Sequence, residues 1–194
     1  MKERARRIFE ESIEAKQASL DDVSAASAAA AALITESILA GGKVMACGNG
    51  GSAADAQHLA GEMVVRYAKD RRGFPAIALT TDSSVITAQS NDKSFDSVFS
   101  RQVEALGRKD DVLVAISTSG TSPNVLEAVK AARDKGMCVV GMTGKGGEEL
   151  ASSCDVAIVA VTDETPRIQE IHVTAIHVIC ELVEAELCGG VHAS

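Results

Sequence analysis

Three titratable side chains recur at intervals of four residues in the segment D-A-Q-H-L-A-G-E-M-V-V-R. His58, Glu62 and Arg66 lie at i, i+4 and i+8. A step of four residues advances about 400° around an α-helix, so the three would share one helix face. A histidine and a carboxylate at this spacing can hold a metal ion or serve one reacting centre. The alternative is an exposed polar stripe with a weak Glu62–Arg66 pair.

A second group of polar residues interrupts the last apolar stretch, T-P-R-I-Q-E-I-H-V-T-A-I-H-V-I-C-E-L-V. His172 and His177 are about 140° apart around a helix, so they cannot both face one site. Glu170 is nearly aligned with His177, and Gln169 lies about 80° from it. Buried polar side chains without partners cost about 1–3 kcal/mol each. The pattern fits either core histidines with local partners or a functional cluster.

Two loops rich in small hydroxyl residues each precede a helical stretch. They are G-N-G-G-S (48–52) and S-T-S-G-T-S (117–122). Ser52 and Ser122 are candidate N-caps, and Pro123 suits the first helical position. Free N–H groups and the positive dipole end of a helix favour an anion, so the loops predict a phosphate site. The alternative is a pair of well-capped turns, and the absence of G-K-[ST] excludes a Walker-type site.

The first loop also matches part of a dinucleotide fingerprint, Gly48-x-Gly50-x-x-Ala53. Such a site needs an acidic residue about 20 positions further on to hold the ribose. Asp82 follows the second apolar run, but it lies about 30 residues on, in a helix-capping context. The hydroxyl loop at 117–122 is not part of a dinucleotide pattern, and it favours a compact phosphate monoester.

The elements that position these residues alternate between short apolar runs and helical patterns. The runs lie at 43–47, 76–80, 111–117, 137–143 and 155–161, and helical stretches at 53–68, 83–90, 94–106, 123–135, 147–153 and 166–187. Runs that are apolar on both faces indicate buried parallel strands. We therefore expect an α/β fold, a five-stranded parallel sheet flanked by helices in a flavodoxin-like three-layer arrangement, with ligands at the carboxyl ends of the strands.

The termini are expected to differ from this core. Residues 1–40 predict an N-terminal pair of helices that break near S-L-D-D (19–22) and end at Gly41-Gly42, with a role in oligomerisation. A left-handed glycine is a common helix end. Residues 41–188 form the predicted main domain, and 189–194, with His192, a flexible tail.

Composition restricts the class of protein. The 194 residues are 46% hydrophobic and 24% charged, with a net charge of −8, which argues against nucleic acid as the main ligand. Aromatic residues make up 3% and Trp is absent, so stacking platforms are not expected. Five cysteines without C-x-x-C spacing indicate reduced thiols. With no secretory segment and no apolar stretch of about 18 residues expected, the prediction is a cytoplasmic protein that binds no membrane.

Several motifs carry a resemblance to a known family, in order along nearly the whole chain. They are C-G-N-G-G-S-A-A-D-A-Q-H-L-A-G-E, F-P-A-I-A-L-T-T-D, I-S-T-S-G-T-S-P-N-V and R-I-Q-E-I-H…H-V-I-C-E-L. In these the chain resembles the phosphoheptose isomerases (sedoheptulose 7-phosphate isomerases) of the sugar-isomerase (SIS) domain family. The resemblance implies an aldose–ketose isomerase that converts sedoheptulose 7-phosphate to D-glycero-D-manno-heptose 7-phosphate through an enediol. That reaction opens the ADP-heptose route to the lipopolysaccharide inner core. A homotetramer with active sites at subunit interfaces is also implied.

The same resemblance implies roles for individual residues. Glu62 and His177 match the acid–base pair, and one zinc ion per subunit would be held by His58, Glu62, Gln169 and His177. Helix geometry alone would place Glu170, rather than Gln169, on the same helix face as His177. The family resemblance nevertheless implies that Gln169 is the ligand. The substrate would be bound by Asn49, Gly50, Gly51, Ser52, Glu62, Asn91, Asp92, Ser117, Thr118, Ser119, Ser122 and Gln169.

Two non-enzymatic alternatives come from the same family. The DnaA initiator-associating protein acts by protein binding and keeps a similar phosphate-loop layout without the Glu and the second His of the catalytic pair. Because Glu62 and His177 are both present, the resemblance favours the enzyme. The other alternative, a domain that senses a sugar phosphate beside a DNA-binding module, does not fit in 194 residues.

Overall fold

One parallel sheet forms the centre of the molecule. The computed structural model describes residues 1–189, so all of the predicted tail except residue 189 lies outside the described residues. The strands run in the order β2-β1-β3-β4-β5 and all neighbours are parallel. They are β1 Val44–Gly48, β2 Ala76–Ala78, β3 Val112–Ile116, β4 Cys138–Gly144 and β5 Val156–Ala160. The predicted five-stranded parallel sheet is confirmed.

Seven α-helices lie among the described residues, and they follow most of the predicted helical stretches, except that the stretch predicted at 53–68 ends at Val64 and the one predicted at 94–106 becomes a 3-10 turn and a short helix from Ser100. They are α1 Lys2–Leu39, α2 Gly51–Val64, α3 Ser83–Asp92, α4 Ser100–Leu106, α5 Pro123–Asp134, α6 Glu148–Ser152 and α7 Thr165–Leu187, with a 3-10 turn at Phe95–Ser97. Apolar periodicity and the Ser-Pro and Thr-Pro starts explain why these boundaries are readable from the sequence.

The helices cover both faces of the sheet. Along β1, Val44 and Ala46 point into a core shared with α1, α2 and α7, whereas Met45 and Cys47 point into a second core with α4, α5 and α6. Every residue of β1 and β3 is buried, which is why these runs are apolar without alternation. The predicted three-layer α/β architecture is confirmed.

The predicted break in the N-terminal region is wrong, because α1 is one continuous helix of 38 residues. The segment contains no Gly or Pro, and the Ser19 hydroxyl donates to the Ala15 carbonyl (2.9 Å), a bond that forms within a continuous helix. The same buried hydroxyl accepts the Val161 N–H at the end of β5 (3.0 Å). The predicted helix end is confirmed: Gly41 has φ +83° and the Gly42 N–H donates to the Ser37 carbonyl.

Among the described residues, α1 is the one helix long and apolar enough to cross a membrane by length and composition. The expectation that no stretch reaches this length was therefore wrong. Its alanine-rich second half raises the mean hydropathy of an 18-residue window to 1.3. That half also supplies Ala30, Ile34 and Ile38 to the core beneath the sheet. A core helix of a globular domain can also be this long and apolar, and the contacts of Ala30, Ile34 and Ile38 are those of a core helix.

His172 connects α7 to β4 inside the protein. Its side chain is fully buried, and its Nε2–H donates to the Thr143 carbonyl at 3.2 Å. The Nδ1 atom and the Thr143 hydroxyl lie buried without hydrogen-bond partners among residues 1–189. Burial lowers the pKa of His172 to about 4, against the weaker raising effect of the Thr143 hydrogen bond. The interpretation as a core histidine is thus confirmed for His172.

This burial predicts a pH-dependent stability. A lowered folded-state pKa means that the unfolded chain binds the proton first as the pH falls below about 6.5, so the folded state loses stability. Between about pH 7.5 and pH 5, the free energy of unfolding should drop by about 2 kcal/mol more in wild type than in His172→Gln.

Urea titrations at one protein concentration measure this difference. The comparison with the variant is needed because Asp55 acts with the opposite sign: burial raises its pKa to about 6, with His58 lowering it less. Equal pH slopes in wild type and His172→Gln would contradict the prediction.

Candidate active site

The two hydroxyl-rich loops meet at the point where the strand order reverses. β1 and β3 are neighbours, with Gly48 opposite Ile116, and the chain leaves them toward opposite faces of the sheet. Such a switch point forms a crevice at the carboxyl ends of the strands. The side-chain amides of Asn49 and Asn124 exchange two hydrogen bonds across it (2.8 and 2.9 Å). Because Asn124 is buried at the start of α5, this pair fixes the two loops to each other.

The hydroxyl groups of the second loop converge on one another. The Ser117 Oγ accepts the Gly120 N–H (3.1 Å) and lies 2.9 Å from the Ser122 Oγ and 3.4 Å from the Ser119 Oγ. Gly120 has φ +69°, and a Cβ there would lie 2.3 Å from the Gly147 Cα, so only glycine fits this turn. Thr118 is half-buried beside them. The loop therefore presents several rotatable donors at the N-terminus of α5.

The predicted capping roles of the two serines need correction. Gly50, at φ +55°, is the N-cap of α2, so Ser52 lies inside the first helical turn and is buried. A glycine takes this position because other residues rarely adopt a positive φ. Ser122 does occupy the N-cap position of α5, but its hydroxyl bonds to Ser117 and makes no cap hydrogen bond. The N-terminal N–H groups of both helices thus lack side-chain caps, which suits an external anion.

The acidic residue that a dinucleotide site would need for the ribose is used elsewhere in the structure. Asp82 is the N-cap of α3, and its carboxylate accepts the Val85 N–H at 3.0 Å. The predicted helix-capping context of this residue is confirmed. A carboxylate committed to a helix start is not free to hold a ribose.

Three of the singled-out titratable residues come together between α2 and α7. The His58 Nε2 lies 3.3 Å from a Glu62 carboxylate oxygen and 3.2 Å from the His177 Nε2. The two imidazole rings meet edge to face, with centroids 4.9 Å apart. Glu62 and His58 remain partly accessible, with 26% and 36% of their side chains exposed. This trio, His58–Glu62–His177, can hold and pass protons within reach of solvent or a ligand.

Arg66 does not belong to this group. The prediction that His58, Glu62 and Arg66 share one face of a helix is therefore wrong for Arg66. The helix ends at Val64, and Arg66 is exposed in the following loop. The Gly73 Cα approaches the Val64 carbonyl so closely that a Cβ there would lie 2.6 Å from it. The returning chain therefore occupies the space into which the helix would have continued.

Gln169 lies at the other end of α2. A Cβ on Gly51 would lie 2.3 Å from the Gln169 amide nitrogen, so the amide packs directly against the N-terminus of the helix. Eight residues along α7 separate Gln169 from His177, which is a rise of about 12 Å. Gln169 is therefore beside the first hydroxyl-rich loop, two helical turns away from the trio.

The remaining predicted substrate residues lie at the rim. Asn91 and Asp92 are exposed at the end of α3, where the Asn91 amide donates to the Asp92 carboxylate at 2.9 Å. A cavity of about 160 Å³ lies between α3, the 3-10 turn and the first loop. Its walls include Asn49, Gly50 and Thr80. No contact joins Asn91 or Asp92 to the trio within the described residues.

Two of the donor spacings in the trio are close to those of zinc ligands, although the described residues include no group of three or more His, Cys, Asp or Glu side chains arranged to hold a metal ion. Zinc binds nitrogen and oxygen ligands at about 2.0–2.2 Å in a tetrahedron, which sets neighbouring donor atoms about 3.3–3.4 Å apart. The distances from the His58 Nε2, 3.3 Å to Glu62 and 3.2 Å to His177, are of this size. Three protein ligands and one open position are typical of catalytic zinc.

Four residues that support this site were not singled out from the sequence. They are Asn124, Tyr67, Arg71 and Glu184. Asn124 bonds one loop to the other, the Tyr67 ring centroid lies 6.0 Å from that of His177, and Arg71 and Glu184 form a buried ion pair. One signal was available: Glu184 follows His177 by seven residues, so both fall on one face of α7. Nothing in the local sequence around Arg71 marks it.

Comparisons with known proteins show the family to which the chain belongs. The SIS domain family matches residues 5–144. The phosphoheptose isomerase of Rhodospirillum rubrum is 56% identical over 169 residues, 87% of this chain and 90% of the relative. Solved phosphoheptose isomerases from Neisseria gonorrhoeae (TM-score 0.87, 46% identity, 95% and 98% of the two chains) and Francisella tularensis (0.90, 38%, 93% and 96%) have the same fold. The chain therefore belongs to the SIS domain family, within its phosphoheptose isomerases.

Proposed function

We propose that this chain is an aldose–ketose isomerase that converts sedoheptulose 7-phosphate to D-glycero-D-manno-heptose 7-phosphate. The observation that carries the proposal is the trio, a carboxylate and two imidazoles in contact next to two anion-favouring loops. Relatives that share about half of its residues over most of the chain are phosphoheptose isomerases. The reaction would be the first step toward ADP-heptose for the lipopolysaccharide inner core.

The chemistry requires one proton to move between neighbouring carbons. Glu62 takes a proton from C1 of the ketose, the electrons form the C1–C2 double bond of an enediol, and the proton returns to C2. His177 exchanges protons between the oxygens on C1 and C2 while the carbonyl shifts. The 3.2 Å contact lets His58 share a proton with His177. Each acid–base role supplies about 10²–10⁴-fold in rate.

The phosphate group binds at the two loops in this proposal. The Ser119 side chain is exposed, and the Ser117 and Ser122 hydroxyls are within hydrogen-bond distance of each other. Thr118 lies between Ser117 and Ser119 along the loop. Backbone N–H groups of Gly51 and Ser52 at the start of α2 add further donors. Gln169, packed against Gly51, is well situated to bind a substrate hydroxyl.

Zinc is part of the proposal, with His58, Glu62 and His177 as its ligands. When bound, it would polarise the substrate carbonyl and stabilise negative charge on the enediol oxygens. Gln169, the fourth ligand implied by the family resemblance, would have to leave Gly51 and cross two helical turns to join them. The ligand and proton-transfer roles of Glu62 compete, since a carboxylate that binds a metal cation is a weaker base.

The binding-protein alternative is not favoured. A protein of the DnaA initiator-associating type has no use for a carboxylate and two imidazoles in contact, yet both Glu62 and His177 are present and lie with His58. The relatives reported above carry the name of the isomerase.

The assembly and location follow from the same proposal. We infer a cytoplasmic homotetramer that binds neither nucleic acid nor membrane, with active sites at subunit interfaces. The exposed side chains of Phe9, Ile13 and Leu20 on α1 supply an apolar surface for a second copy, in keeping with an oligomerisation role for residues 1–40. All five cysteines are free, as expected in a reducing compartment.

Removing either member of the acid–base pair should abolish turnover. Glu62→Gln and His177→Ala should each lower kcat by at least about 10²-fold, because each removes a proton carrier. Turnover of sedoheptulose 7-phosphate followed by NMR measures the effect. Glu104→Gln, the same change on an exposed helix, is the control and should stay within about twofold of wild type. Activity near wild type in Glu62→Gln would contradict its role as base.

The second loop should affect binding more than chemistry. A Ser119→Ala/Ser122→Ala double variant should raise KM by about tenfold with little change in kcat, because two donors to the phosphate are lost before and during reaction alike. Ser152→Ala/Ser153→Ala is a matched control, since both of those hydroxyls bond only to the Glu149 carbonyl on the surface. An unchanged KM in the loop variant would mean that the phosphate binds elsewhere.

The proposed metal site predicts one zinc per chain. Elemental analysis after dialysis should give about one equivalent for wild type and for His172→Gln, and close to none for a His58→Ala/His177→Ala variant. Added zinc should raise the Tm of chelated wild type, because it binds only the folded state. Chelation should also reduce turnover. Full turnover without metal would make zinc dispensable, and equal zinc in the double variant would exclude this site.

A further inference from the structure

Glu184 is a buried carboxylate on α7 that the proposed reaction does not use. It is 3% exposed and lies two helical turns beyond His177 on the same face of the helix. Its carboxylate accepts hydrogen bonds from three successive backbone N–H groups, those of Tyr67 (3.2 Å), Ala68 (3.0 Å) and Lys69 (2.7 Å). One side chain of α7 thus fixes the backbone that follows α2.

Arg71 completes the connection. Its Nε donates to Glu184 at 2.7 Å, and its two terminal nitrogens donate to the carbonyls of Glu62 (2.9 Å) and Met63 (3.0 Å). The guanidinium also lies 3.8 Å above the Phe74 ring. The last carbonyls of a helix have no partner within it, so Arg71 caps the end of α2 at the residue that carries the proposed base.

The same loop reaches the other side of the trio. Tyr67, held through its N–H by Glu184, presents its ring to His177 with centroids 6.0 Å apart. The backbone of Glu62 and the surroundings of His177 are therefore both set by one ion pair. We propose that Glu184 and Arg71 are positioning residues that fix Glu62 and the His177 imidazole relative to each other.

Stability alone is a poor reason for this arrangement. Both side chains are about 95% buried, with 5% of Arg71 and 4% of Glu184 exposed, and a buried ion pair seldom stabilises more than well-packed apolar residues do. Burial by itself would raise the pKa of Glu184, but the N–H groups of Lys69 and Ala68 and the Arg71 guanidinium lower it. The pair stays charged, and its directional bonds give the precision, of order 0.5 Å, that proton transfer requires.

The first test is Glu184→Gln, which turns one acceptor oxygen into a donor that faces other donors. We expect kcat to fall about 10–100-fold, the loss that a misplacement of about 1 Å produces, with KM changed by less than about threefold. The assay rests on the proposed function. The measurement is made well below the Tm of each protein, so that unfolding does not contribute.

Asp111→Asn is the matched control. Asp111 is 2% exposed and accepts the backbone N–H groups of Lys43 and Arg108 and the Lys43 ammonium, so the chemical change is the same. It precedes β3 at the amino edge of the sheet, opposite the loops of the site. Asp111→Asn should lose Tm while kcat stays within about twofold of wild type. Equal kcat losses in the two variants would overturn the proposal.

A second readout does not depend on activity. The chain has four histidines, so their imidazole ¹H–¹³C NMR signals can be assigned individually. Without substrate and at equal metal content, Glu184→Gln should shift the His58 and His177 signals and leave His172 unchanged. Unshifted His177 signals would overturn the proposal. Shifted signals in a chain that does not turn over the heptose phosphate would refute the proposed function but not the positioning role.

Arg71→Lys decides the case if Glu184→Gln does not fold. Lysine keeps the positive charge beside Glu184 but cannot make the fork of bonds to the Glu62 and Met63 carbonyls. The kcat of Arg71→Lys should be lower than that of wild type, as predicted for Glu184→Gln, and its His177 NMR signal should be shifted. Wild-type kcat and signals in Arg71→Lys would overturn the proposal.

Discussion

The parallel pairing of β1 with β3 is the constraint on which the candidate site depends. It sets Gly48 opposite Ile116 and so brings the ends of two strands that are 68 residues apart in the chain to one edge of the sheet. The loops that follow lead to helices on opposite faces and leave a crevice between them. The Asn49–Asn124 amide pair then closes the contact. Without this pairing, the two loops would lie apart, and neither would form one side of a crevice.

The packing of α2 against α7 is the second constraint, and it brings the titratable groups together. Ala56 and Leu59 on α2 share one core with Ala175, Ile176 and Ile179 on α7. Small residues on such an interface allow two helices to approach closely. Two imidazoles on facing helices then meet at 3.2 Å. The acid–base group is thus a product of apolar packing, and the buried Arg71–Glu184 pair adds direction to it.

The sequence predicts the architecture well because its signals are local. Apolar runs of strand length, the Ser-Pro start of α5 and the glycine end of α1 each depend on neighbouring residues only. The mistakes also have local causes: the polar segment S-L-D-D suggested a break in the N-terminal region, although Ser19 bonds to Ala15 within the helix and to Val161 just after β5. Arg66 was assigned to a helix face because nothing nearby marks the return of the chain. Within the site, helix spacing predicts the His58–Glu62 contact but cannot show that His177, 119 residues away from His58, completes it.

The length of α2 is similar to the length of an extended heptose phosphate. Its N-terminus lies at the first hydroxyl-rich loop, and His58 follows Gly51 by seven residues, a rise of about 10 Å along the helix. An open seven-carbon chain has six C–C bonds of about 1.5 Å each, and with its phosphate ester it also spans about 10 Å when extended. The first loop and the trio are attached to the same rigid element, so their separation is set by the number of residues between Gly51 and His58.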